Sequence, residues 1–177
     1  MVAESGGGLL MGQPPEAGSL SVVVENRQQD LTVDADRWST LLVLALQHEG
    51  VTMPAEVGLA FIDADEMTML NTQHMDGVGP TDVLSFPVDG LDHRELASVA
   101  KGTGIGEAPV MVGDVVVAPV VAAKVVGPTR TLEDELALLI VHGALHLIGH
   151  DHFDENEREL MQSREQDLLD LFYRSTP

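Results

Sequence analysis

Four of the chain's seven histidines fall within eleven consecutive residues, His142 to His152. Three of them, His142, His146 and His152, stand at i, i+4 and i+10, with Gly149 between the second and the third. On a helix, side chains four residues apart share a face about one turn apart. A glycine just beyond can take the left-handed conformation that ends a helix, so the chain can fold back and carry His152 to the same point. Three neutral imidazoles with an open fourth position are the donor set of a catalytic zinc centre, whereas structural zinc sites are usually closed by four protein ligands. A metal held this way can activate water by lowering its pKa toward neutrality. Chance clustering of histidines in a solvated turn is the competing reading. His150, beside the turn, is expected to face away from the metal. Asp151 is open between orienting an imidazole N–H and serving as a helix cap or solvated turn residue.

The gaps in the pattern carry as much information. In metalloproteases of the His-Glu-x-x-His type, a glutamate after the first histidine is the general base. Here that position is Gly143, so the ligand spacing resembles a protease and the base is missing. No other residue reads as a clear general base. Thr81, Asp82, Ser85 and Asp114 are candidates only for orienting groups, with strand-end packing, turn or cap roles as their rivals.

The rest of the chain must position these groups. Its 177 residues suit one domain with a sizeable core, and 44% hydrophobic content is that of a globular protein. Nine basic residues oppose 29 acidic ones, a net charge of −20. That balance excludes nucleic-acid binding by bulk electrostatics, which needs the opposite sign. A role on RNA would need a local positive site, a metal ion or a partner that presents the substrate. There are no cysteines, so disulfides and thiolate ligands are excluded. No apolar run reaches the ~18 residues of a membrane span. No basic region precedes an apolar stretch at the N-terminus, so no secretory signal and a cytoplasmic location are expected. Residues 1–18, with Gly6-Gly7-Gly8 and Pro14-Pro15, read as a disordered or expression-derived tail, leaving 19–177 as the single domain.

Within that domain, Leu20 to Val24 reads as a strand. Asp34 can cap a helix to about Glu49 whose apolar stripe is Trp38, Leu41, Leu42 and Ala45, stopped by Gly50. Val57 to Ile62 is a second strand. Asp63 or Asp65 caps a helix through about His74, with Met67 and Leu70 inward. Val83 to Phe86 is strand-like, and Pro87 marks an edge or strand end. Residues 88–112 read as a long loop. Its Gly102-Thr103-Gly104-Ile105-Gly106 matches neither a P-loop nor a dinucleotide fingerprint. Gly113-Asp114 is expected to open a strand, Val115 to Ala118, with a helix from Pro119 to about Val126. Thr131 is the N-cap of the histidine-bearing helix, which is apolar nearly all round and therefore central and buried. Asp154 and Glu157 start a last helix to about Tyr173, with Leu160, Met161, Leu168, Leu169 and Phe172 inward. The expectation is an α+β domain with one small mixed sheet packed against helices.

Two separated segments also agree on one family. His142-Gly-Ala-Leu-His-Leu-Ile-Gly-His-Asp-His152 closely resembles the His-Gly-x-Leu-His-Leu-x-Gly-Tyr-Asp-His signature of the YbeY family. Pro80-Thr-Asp-Val-Leu-Ser-Phe-Pro87 resembles its second signature, and Gly113-Asp114 and the order of elements from Leu20 to Phe172 also match. The resemblance covers nearly the whole chain apart from the N-terminal tail. It implies a metal-dependent, single-strand-specific endoribonuclease acting in 16S ribosomal RNA 3′-end maturation and ribosome quality control. It implies one zinc held by His142, His146 and His152, and contact with the small ribosomal subunit or its assembly factors. It implies no DNA or membrane partner. The chain departs from the family pattern at His150, where tyrosine is usual, and at Met75. Many members carry an arginine there, after a Leu-Asn-x-x-Tyr stretch that here reads Leu70-Asn71-Thr72-Gln73-His74. Such an arginine is a natural phosphate clamp; Arg130 and Lys124 are its possible substitutes, or solvated surface residues. Two rival functions stand beside the nuclease. One is a non-catalytic ribosome-assembly factor with a fold-stabilising zinc, and the other a metallopeptidase, against which Gly143 argues.

Overall fold

Alternation in burial sets the strands. In Ala55–Phe61, residues 55, 57, 59 and 61 are buried and those between are partly exposed, the period of two that places alternate side chains on opposite faces. The computed structural model describes residues 20–51, 54–88 and 109–175. Among them are four strands, β1 (Leu20–Asn26), β2 (Ala55–Phe61), β3 (Val83–Pro87) and β4 (Val110–Val117). Five helices accompany them: α1 (Ala35–His48), α2 (Ala64–Met75), α3 (Pro119–Val125), α4 (Leu132–Leu147) and α5 (Glu155–Ser175). The sheet order is β1-β2-β4-β3. β1, β2 and β4 are parallel, and β3 runs antiparallel to β4 at the edge. Pro87, lacking an N–H, is tolerated there because an edge strand leaves one side unpaired.

The two faces of the sheet differ. Val57, Leu59, Phe61, Val115 and Val117 join Trp38, Leu41 and Leu42 of α1, Ile140 and Ala144 of α4, and Met161, Leu168 and Phe172 of α5 in the main core. Val116 and Leu84 face the other way, into a smaller cluster with Ile62 and Met67 beside α2. α4 packs on α1, on β3 and β4, and under α5, so the histidine-bearing helix is the central buried one. This is an α+β domain with a small mixed sheet. No helix among the described residues is long and apolar enough to cross a membrane.

Local signals account for the helix ends. Asp34 and Asp63 accept hydrogen bonds from Arg37 N (3.1 Å) and Glu66 N (2.8 Å), the usual N-cap arrangement. Both β1 and β2 begin or end within two residues of the expected positions. β4 differs more. It begins at Val110, inside what reads as a loop, and Gly113-Asp114 lie within the strand rather than opening it. The reason is a bulge: Glu56 pairs with Met111 and Val57 with Gly113, leaving Val112 extra. Gly113 has φ +137°, and a Cβ on it would run into the carbonyl oxygen of Phe86 on β3. The glycine marks close approach of two strands. On α5, Leu160 is 52% exposed rather than inward, because Met161, Leu168 and Phe172 define the buried stripe and Leu160 lies about 100° off it. Residues 1–18 and the Gly102–Gly106 segment lie outside the described residues.

Candidate metal centre

α4 starts with a reciprocal cap. Thr131 Oγ1 accepts from Asp134 N at 3.1 Å, and Asp134 Oδ2 accepts from Thr131 N at 3.0 Å. The helix then buries Leu136, Ala137, Leu139, Ile140, Val141, Ala144, Leu145 and Leu147, leaving His142 and His146 half-buried on one flank. It ends in a Schellman turn: Gly149 N donates to His146 O (3.1 Å) and His150 N to Leu145 O (3.0 Å). Gly149 has φ +92°, the left-handed backbone that only glycine adopts without strain. The reversed chain brings His152 back to the helix.

One ring nitrogen from each of His142, His146 and His152 lies within 4.8 Å of the other two. His142 Nδ1 is 2.7 Å from Glu165 Oε1 on α5, and His146 Nδ1 is 2.9 Å from the carbonyl oxygen of His150. A carbonyl and a carboxylate only accept, so each Nδ1 carries a hydrogen and each neutral ring keeps its lone pair on Nε2. Those two Nε2 atoms face each other at 3.0 Å. Two lone pairs so placed repel unless a positive centre sits between them, which is the demand a metal ion meets. Burial, and then the repulsion that a protonated His142 would add, holds the His146 pKa below its ordinary value, which favours the neutral, ligating form. The donor set thus fits zinc, an imidazole-binding ion.

The histidines line a cleft of about 550 Å³ together with Met75, Ser85, Pro87 and Asp151. Met75, where an arginine is common in the resembling family, is therefore at the cleft, and it is 48% exposed. Among the described lining residues none is lysine or arginine. Arg130 pairs with Glu135 (3.2 Å) at the opposite end of α4, and Lys124 lies in the last turn of α3. Ser85 lines the cleft, but its hydroxyl donates to the Gly143 carbonyl (3.1 Å) and so braces the helix backbone. Thr81 donates to Asp82 Oδ1 at 3.4 Å, while the Asp82 carbonyl accepts from Ala118 N at 2.8 Å. Asp114 lies on the other face of the sheet, against Gly58, in a separate cleft. Asp151 Oδ1 accepts from His152 N at 2.7 Å, a turn role. The His150 ring turns to the C-terminus of α1, Nε2 lying 3.5 Å from Glu49 Oε2.

A Cβ on Gly143 would stand 2.7 Å from Val115 Cγ1 and 3.1 Å from Ser85 Oγ. The position facing the sheet has no room for a side chain, so the protease glutamate is sterically excluded there as well as absent. Sequence reasoning missed Glu165. Its signal is a break in pattern: Met161, Glu165, Leu168 and Phe172 share one helical stripe, and one of the four is an acid, 13% exposed at its side chain.

Comparison with known proteins agrees with this geometry. The family model described as Endoribonuclease YbeY matches residues 23–173. The chain belongs to the YbeY family. The match runs from within β1 to the last turn of α5 and includes all three histidines. An Endoribonuclease YbeY of Salinispora tropica is 41% identical over 145 residues, 80% of this chain and 89% of the relative. One of Corynebacterium glutamicum is 35% identical over 155 residues, 87% of this chain and 77% of the relative. The solution structure of TM1509 from Thermotoga maritima resembles the fold with a TM-score of 0.54 at 22% identity, covering 88% of this chain and 93% of that one.

Proposed function

We propose that the chain is a zinc-dependent endoribonuclease that cleaves single-stranded RNA, acting in 16S ribosomal RNA 3′-end maturation and ribosome quality control in the cytoplasm. The observation that carries this reading is the convergence of three imidazoles within 4.8 Å in a chain of the YbeY family. In this reading residues 19–177 are the hydrolase domain, residues 1–18 are a tail, and His142, His146 and His152 hold one zinc. Zinc bound there supplies Lewis-acid stabilisation of the charge that develops on the phosphoryl group. The remaining work falls to the chain. Gly149 and the His150 carbonyl hold the turn that presents His146 and His152. Ser85 locks the backbone at Gly143, so the first two ligands sit on a rigid helix rather than a loop. With a net charge of −20 and no cation lining the described cleft, the protein draws little on long-range attraction to phosphate. The small ribosomal subunit or its assembly factors then present the RNA.

The test compares wild type with His146→Ala on single-stranded rRNA fragments, with zinc content measured on the same samples. Cleavage by the wild type alone, tracking its zinc, is expected; equal cleavage by both proteins ends the proposal.

A second reading has one observation in its favour, the absence of a lysine or arginine among the described cleft residues. It makes the chain a non-catalytic assembly factor whose zinc stabilises the fold. It expects no turnover by rigorously purified protein, and normal rRNA processing with retained small-subunit association in a His142→Ala strain. A processing defect at normal protein abundance counts against it.

A further inference from the structure

Of the three ligating histidines, two have an Nδ1 partner among the described hydrogen bonds, and the partners differ in kind. His146 is oriented by a neutral backbone carbonyl of its own turn. His142 is oriented by the Glu165 carboxylate, which comes from a different helix 23 residues further along the chain. The contact is short, 2.7 Å, and partly buried, with side-chain exposures of 30% for His142 and 13% for Glu165. Placing an acid on the buried stripe of α5 costs desolvation, which a solvated acid would not incur. The neighbouring cation on α5, Arg164, does not account for it, since its guanidinium points to Glu49 (3.9 Å).

We propose that Glu165 is a positioning residue for the metal centre. Its carboxylate holds the hydrogen of His142 on Nδ1, sets the rotation of the ring, and raises the donor strength of Nε2. It thereby couples α5 to the metal. The inference rests on the reading of His142, His146 and His152 as metal ligands and goes beyond it by naming a residue outside that set. Partners of this kind fix the tautomer and basicity of a ligating imidazole, and losing one typically costs about 10–100-fold in metal affinity. Because the carboxylate is anionic, its effect has two separable parts. Glutamine retains an acceptor oxygen without the charge, and alanine retains neither.

The experiment measures zinc affinity of the full chain by competition with a chromophoric chelator. It uses wild type, Glu165→Gln, Glu165→Ala, His142→Ala and, as a control on an exposed position of the same helix, Glu159→Gln. Thermal unfolding of each metal-free protein reports the fold, and the visible spectrum of the cobalt-substituted proteins reports ligand geometry. The expected order of affinity is wild type and Glu159→Gln, then Glu165→Gln, then Glu165→Ala weaker than wild type by about 10–100-fold. The cobalt bands of Glu165→Ala should shift, with partial return in Glu165→Gln. A wild-type affinity and cobalt spectrum in Glu165→Ala, with zinc lost in His142→Ala, overturns the proposal even if the metal-free melting temperature falls. Should Glu165→Ala fail to fold, Glu165→Gln with unchanged affinity and spectrum overturns it. Failure of wild type and His142→Ala alike to bind zinc instead overturns the metal reading itself, and this proposal with it.

Discussion

Helices α4 and α5 are tied together at two points, and the ties differ in what they do. Near the start of α4, Tyr173 Oη donates to Asp134 Oδ1 at 3.0 Å. Further along, His142 meets Glu165 at 2.7 Å. The partners are eight residues apart on each helix and progress in opposite directions, so the helices run antiparallel with the ties about 12 Å apart. The first tie is exposed and ends on a residue that also serves the helix start, where Asp134 closes the reciprocal cap with Thr131. The second is partly shielded and ends on a proposed metal ligand. Packing of α5 on α4 would hold the helices together without either, since Met161, Leu168 and Phe172 already lie in the main core. A hydrogen bond between exposed partners adds little to that. In the proposed metal centre, one that ends on a ligating imidazole governs where a lone pair points, and its effect is expected in metal binding rather than in the fold. On that proposal the same helix pair carries a structural clasp at one end and a functional one at the other.

The sharpest break of this comparison is at the ligand itself. His146→Ala removes one of three donors and the ring held by the His150 carbonyl. Zinc content should fall to background and RNA cleavage with it, as measured by metal analysis and single-turnover assay. Chelation of the wild type is the reversible version. At free zinc about 100-fold above Kd, the ion adds about 2.7 kcal/mol of stability, and a domain of this size moves about 2–4 °C per kcal/mol. Thermal unfolding should therefore drop by about 5–10 °C on chelation. His146→Ala should show no such response. A chelator-insensitive wild type that still cleaves RNA would sever function from the histidines.

Next in size is the contact between α4 and the sheet. Gly143→Ala places a methyl 2.7 Å from Val115 Cγ1, and overpacking of this kind typically costs about 1–3 kcal/mol. Denaturant unfolding of metal-free protein should show that loss. Zinc affinity should fall as well, because Ser85 can no longer hold the Gly143 carbonyl at its present distance while the helix shifts. Gly143→Glu should destabilise further and yield no peptide cleavage. Unchanged stability in Gly143→Ala would mean that α4 is not seated against β4 as described.

The residues that were legible in the sequence are those whose role is settled by their near neighbours. Thr131, Asp34 and Asp63 cap because a short polar side chain before an apolar period can reach the backbone two or three residues on. Gly149 was legible for the same reason: the end of a helix needs a left-handed residue a few positions after its last apolar one. The three histidines follow, since i, i+4 and a turn form a local construction. What escaped depends on elements far apart in the chain. Gly113 looks like a strand opener until its neighbours are laid beside it: pairing with β2 makes Val112 a bulge, and β3 brings the Phe86 carbonyl against Gly113. Asp114 reads as a neighbour of the site, but the alternation along β4 sends it to the other face. Glu165 stands 23 residues from His142, and its place on the α5 stripe was visible, but its partner could not be named without the crossing of two helices. Leu160 differs because its apolar type alone does not place it on the stripe, which runs through Met161, Leu168 and Phe172.

The smallest effect expected is at the exposed tie, and it is the one that isolates the contrast. Tyr173→Phe removes the hydrogen bond to Asp134 and keeps the ring against Phe172, 5.6 Å between centroids. At neutral pH stability should change by less than about 1 kcal/mol, with zinc affinity unchanged. The difference should emerge in alkali. Partial burial, and then the hydrogen bond to Asp134, push the Tyr173 pKa up from 10.0 to about 12. The folded state thus favours the protonated phenol. Its contribution is fully present below about pH 10 and is lost as pH rises toward 12. Urea unfolding of metal-free protein across that window should show wild type losing stability more steeply than Tyr173→Phe, the two curves converging at the alkaline end. If instead Tyr173→Phe weakens zinc binding as Glu165→Ala is expected to, the two ties are one mechanical unit, and α5 acts on the metal as a rigid bar rather than through a single carboxylate.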